Sequence, residues 1–101
     1  GLEKEITHYV ESIYKRLEEI DGIIKANLLN WSWERLLAVD KNILRLATYE
    51  LLYEEHVPIE VSLNEAVEIA KAYGTEKSGK FVNGILDVIA KKHSSEEKRA
   101  L

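Results

Sequence analysis

Apolar side chains recur three and four residues apart along most of this 101-residue chain, the period of α-helices that bury one face. Ile6, Tyr9, Val10, Ile13, Tyr14, Leu17 and Ile20 form one stripe, which predicts a first helix ending near Asp21-Gly22. Ile23, Ile24, Leu28 and Leu29 continue a short second segment, and Asn30 to Leu37 reads as a cap followed by a short helical turn. The next helix is expected to take Asp40 as its N-cap. It carries Ile43, Leu44, Leu46, Ala47, Tyr49 and Leu51 around much of its circumference, as a central element would, until Pro58 ends it. Ser62 and Glu65 fit a capping box, so a further helix is expected to send Ala66, Ile69, Ala70 and Tyr73 inward before Gly74 stops it. Thr75 or Ser78 starts the last helix, whose core stripe is Val82, Ile85, Leu86 and Ile89.

Alternation of the strand kind is confined to Val57, Ile59 and Val61, interrupted by proline, and reads as a connection. The expected fold is therefore all-α, a helical bundle of about five helices joined by short connections. Residues 1–93 make its single domain and residues 94–101 a charged tail that frays. A hydrophobic content of 46% supplies one core and no second domain.

With no cysteine, the chain has no disulfide, thiolate metal site or cysteine nucleophile, and the cytoplasm is the expected compartment. Its apolar runs fall well short of the roughly 20 residues needed to cross a bilayer. It also lacks methionine and opens with Gly1, as a processed, truncated or engineered chain would. The net charge of −4 argues against generic binding to phosphates. The last helix is a local exception: Lys77, Lys80, Lys91 and Lys92 outnumber Glu76 and Asp87 there.

Catalytic chemistry finds little support. Glu5 and His8 have the spacing that offers a carboxylate and an imidazole to a metal from one helix, but the motif occurs once and His8 lies off the apolar stripe. Glu54, Glu55 and His56 read as the end of the central helix, where an imidazolium meets the helix dipole favourably. No phosphate-binding glycine loop is present, and Ser32, Ser62 and Ser78 read as caps without a histidine placed to activate them. No cofactor, metal or enzyme activity is expected. Phe81 falls roughly 90° from the centre of the last helix's apolar stripe, on the flank of Lys77 and Lys92, where it can be partly exposed. An aromatic ring beside ammonium groups suits an unpaired base and its phosphates, although the same position suits a core margin.

Three ordered motifs carry a family resemblance: Asp40-Lys41-Asn42-Ile43-Leu44-Arg45-Leu46-Ala47-Thr48-Tyr49-Glu50-Leu51, Asn64-Glu65-Ala66-Val67-Glu68-Ile69-Ala70-Lys71 and Lys80-Phe81-Val82-Asn83-Gly84-Ile85-Leu86-Asp87. The chain resembles the NusB family of bacterial transcription antitermination factors from about Ile6 to His93. The resemblance implies a non-catalytic adaptor that binds boxA-type single-stranded RNA together with the ribosomal protein NusE in the transcription elongation complex. It places Lys80 and Phe81 in RNA binding, Arg45 more weakly, with a salt bridge to a neighbouring glutamate as the competing role, and Lys77 as favourable charge. Asp40 would face NusE. Family members begin with further helices preceded by an arginine-rich segment, which nothing here matches, so the chain reads as truncated at its N-terminus. Apolar surface left uncovered there would lead either to homo-oligomers, as by exchange of helices, or to repacking that protects the face. A NusB-derived scaffold fragment without native binding, and the RNA-binding domain of an rRNA cytosine methyltransferase, are the alternatives.

Overall fold

The structure, a computed structural model, describes residues 2–101, with Leu2 described by its backbone alone. Its helices are α1 (Leu2–Lys15), α2 (Leu17–Ala26), α3 (Ala38–Tyr53), α4 (Ile59–Tyr73), α5 (Ser78–His93) and the short α6 (Glu96–Arg99), with a 3-10 turn at Trp33–Arg35. There is no strand among the described residues, and no helix is long and apolar enough to cross a membrane. The fold is all-α as expected: five long helices with a sixth of one turn. α3, α4 and α5 pack on one another, and α2 closes the core against α3. Ile20, Ile24, Leu44, Leu51, Ala70, Val82, Leu86 and Ile89 are fully buried at the centre.

The first apolar stripe spans two helices. Arg16 leaves helical geometry at φ −112°, ψ 14°, and its guanidinium lies 4.3 Å from the Tyr53 ring centre, which holds the break against α3. Gly22 does not end a helix, because it sits inside α2; Asn27 ends it, its side-chain amide donating to the Ile23 carbonyl at 2.8 Å. Spacing shows which face is apolar and is silent about a single departing ψ.

Asp40 is not the N-cap of α3. The extended Leu37 holds that place, and Asp40 lies in the first turn, where a carboxylate still meets the positive end of the helix dipole. Pro58 likewise begins α4 instead of closing α3, which stops at Tyr53. Proline lacks an N–H and is tolerated at a helix start, so Ile59 and Val61 are helical and Ser62 is buried inside α4 with no capping bond. Tyr73, expected inward, is exposed at the last position of α4.

Within residues 94–101, expected to fray, Glu96–Arg99 forms α6. Ser95 caps it by accepting from the Lys98 N–H at 3.1 Å, and the buried Lys98 ammonium donates to the Glu50 and Glu54 carbonyls at the end of α3. Each of those carbonyls also accepts a backbone N–H, Glu50 from Glu54 and Glu54 from Val57, so a lysine from the far end of the chain adds a second, charged donor at the negative end of α3. α1 is held more lightly. Tyr9 packs edge-on against Tyr49 and Ile13 reaches the core, while Ile6, Val10 and Tyr14 remain 54%, 61% and 78% exposed.

Burial raises the Glu50 carboxyl above its ordinary range. An acid whose folded-state pKa is raised contributes stability that is present below its unfolded value and lost as pH rises through the folded one. Glu50→Gln, which keeps the neutral shape at every pH, is therefore expected to raise Tm at pH 7 and to leave it unchanged at about pH 4, by thermal denaturation followed by circular dichroism. An equal gain at both pH values contradicts this assignment.

Candidate nucleic-acid interface

α5 is buried on one side through Val82, Leu86 and Ile89. Lys77, its N-cap, with Lys80, Phe81, Gly84 and Ile85 recur at helical spacing along another side, so one register that satisfies the core also sets an aromatic ring among ammonium groups. Two glycines fix where that side points. A Cβ on Gly74 would lie 2.4 Å from Ser78 Oγ and 2.8 Å from the Ala70 carbonyl, and one on Gly79 would lie 3.2 Å from Lys71 Cγ. Close approach at this corner lets α5 fold back directly onto α4. Ser78 Oγ accepts from the Thr75 N–H at 2.9 Å and Thr75 Oγ1 accepts from the Lys77 N–H at 3.3 Å, so the corner is closed by hydroxyls.

Phe81 is half-buried and makes an edge-type contact with Trp31, ring centres 4.9 Å apart at 66°, an arrangement favoured by the ring quadrupoles. Two depressions adjoin at this pair. The larger, about 550 Å³, is walled by Trp31, Phe81, Lys77, Lys80 and Glu76 over a floor of Gly84 and Ile85. The smaller, about 190 Å³, lies towards Arg35, Leu37, Asp40 and Ser78. Lys77 and Lys80 are exposed, and among the described residues no ion pair involves either. Free ammonium groups beside an open apolar groove can take a ligand with an anionic backbone and flat apolar parts.

The remaining expected residues lie elsewhere or act from beneath. Arg45 donates through Nε and Nη2 to the two carboxylate oxygens of Asp21 at 2.7 and 2.8 Å, tying α3 to α2. That pairing holds its guanidinium more firmly in the charged form, and the partner is an aspartate on another helix, not a nearby glutamate. Arg45 also stands 5.2 Å from the Trp33 ring centre, with Lys25 and Lys41 at 5.4 and 5.1 Å. Asp40 is buried, and its Oδ2 accepts from Ser78 Oγ at 3.3 Å, so it connects α3 to the start of α5. His8 stands 3.6 Å from Glu54, and among the described residues no three His, Cys, Asp or Glu side chains are grouped to hold a metal. Trp31 and Arg35 were not anticipated; the available signal was an aromatic residue between Asn30 and Ser32, outside every apolar stripe.

The NusB family model matches residues 3–91. A Transcription antitermination protein NusB from Pseudothermotoga lettingae is 64% identical over 100 residues, covering 98% of this chain and 71% of its own length. The protein of the same name from Fervidobacterium nodosum is 55% identical over 97 residues, covering 96% of this chain and 69% of its own length. A solved structure of T. maritima NusB superposes with a TM-score of 0.93 at 56% identity, covering 97% of this chain and 69% of that one. The chain thus spans about seven-tenths of the length of these relatives.

Gly74→Ala is expected to force Ser78 away and move the start of α5, at a cost of roughly 1–3 kcal/mol for overpacking. Urea denaturation monitored by circular dichroism measures it, and an unchanged midpoint shows that the corner tolerates a methyl group.

Proposed function

The chain belongs to the NusB family, and from that premise we propose that it is a non-catalytic adaptor of transcription antitermination. It binds boxA-type single-stranded RNA together with the ribosomal protein NusE in the elongation complex, in the cytoplasm. One observation carries the RNA reading: Phe81 stands half-exposed in a groove lined also by Lys77 and Lys80, neither of which has a carboxylate partner among the described residues. The phenyl ring offers a stacking surface to a base and the ammonium groups meet phosphates, a combination suited to an unpaired strand. Arg45 contributes least to this surface, since its guanidinium is engaged by Asp21. Asp40 acts on the protein-binding side by holding Ser78 and so the lip of the smaller depression.

Fluorescence anisotropy with labelled boxA RNA, with and without NusE, tests the proposal. Phe81→Ala should weaken binding roughly 5- to 100-fold, the range for losing one base–aromatic stack. Lys80→Ala should weaken it less and reduce the salt slope by about one phosphate contact. Unchanged affinity in both variants contradicts the RNA site, and a folded chain that binds neither RNA nor NusE fits the scaffold reading.

The proposal extends to self-association. Ile6, Val10 and Tyr14 form an exposed apolar stripe on α1, where a second copy would bury it. Light scattering coupled to size-exclusion chromatography should show mass rising with concentration, and Val10→Glu should abolish the rise. A monomer at every concentration contradicts self-association.

A further inference from the structure

Trp31 differs from its neighbour Trp33 in what covers its ring. Trp33 is half-buried and has the cationic groups of Lys25, Lys41 and Arg45 within 5.4 Å of its centre. Trp31 is 56% exposed, lies outside the core cluster and is placed by its edge contact with Phe81. A large indole left this open forgoes substantial burial energy, and here it stands in the wall of the groove of about 550 Å³, within the size range of ligand sites.

The floor below it is also open. A Cβ on Gly84 would meet nothing within 4 Å, although Gly84 lies inside a helix where alanine is the better former. Flat aromatic surface, an unfilled floor and the free Lys77 and Lys80 at the rim match a nucleotide whose base enters the groove while its phosphates stay at the edge. Glu76, the acidic residue of the lining, reinforces that orientation by repelling phosphate from its side.

We infer that Trp31 is the principal base-stacking platform of this surface, taking one unpaired ribonucleotide base into the groove above Gly84, with Phe81 buttressing the indole by its edge. This inference rests on the RNA reading above and adds a residue and a pocket to it. Because the contact is to a π-face, the site tolerates any base and sets affinity for single strands, not sequence.

The test uses the whole chain and a labelled single-stranded boxA-type oligoribonucleotide, with folding of each variant checked by circular dichroism. Trp31→Ala should lower affinity roughly ten-fold or more, and Trp31→Phe should retain most of it. Gly84→Leu, which fills the floor without meeting the core, should lower affinity as Trp31→Ala does while leaving Tm unchanged or higher. RNA should quench the wild-type tryptophan emission, and Trp31→Phe should remove that quenching. If Phe81→Ala weakens binding while Trp31→Ala and Gly84→Leu do not, the platform is refuted and the RNA reading stands. If the wild-type chain does not bind the oligonucleotide, both fall. Loss of NusE binding with RNA affinity intact in Trp31→Ala also refutes the platform, by assigning the indole to a protein contact.

Discussion

The close seating of α5 on α4 at Gly74 and Gly79 is the constraint on which the rest of the molecule depends. It brings Val82, Leu86 and Ile89 to the centre of the core and, by the same rotation, turns Lys77, Lys80 and Phe81 to the groove. Asp40 and Ser78 join α3 to this corner, so three helices converge beneath the site. A bound strand would therefore meet a surface whose position is set by core packing, which keeps the ordering cost of binding low.

Electrostatics explain how an acidic protein can offer such a surface. The chain carries a net −4, yet many of its acids lie away from the groove: Asp21 pairs with Arg45, and Glu50 and Glu54 lie at the α3 terminus near Lys98. Lys77 and Lys80 then act locally, within the roughly 8–10 Å over which charge is felt at ordinary salt. On the proposed RNA reading, few phosphate contacts would leave stacking on the Trp31–Phe81 pair to supply the larger share of affinity.

The helical architecture and most of the core were legible in the sequence because burial imposes periodicity: Ile20, Leu44, Ala70, Val82 and Leu86 all follow it. Helix ends were less legible, since Ser62 and Asp40 have the chemistry of caps but Pro58 and Leu37 already hold those places through backbone conformation. Lys98 was hidden for another reason. A lysine in a charged terminal segment carries no local sign that carbonyls 44 and 48 residues earlier will receive it. In the groove, Lys80 and Phe81 could be named from motif and helical phase, whereas Trp31 reaches them across the fold from a segment without periodicity.

Titration of the 15N-labelled chain with unlabelled boxA-type RNA, followed by amide and indole chemical shifts, tests most directly whether the outer side of α5 is the binding surface. The account predicts that the largest changes fall on residues 76–85 and on the Trp31 indole N–H, with α1 and α6 unaffected. Changes centred on α1 or α6, with residues 76–85 and Trp31 unmoved, would contradict it.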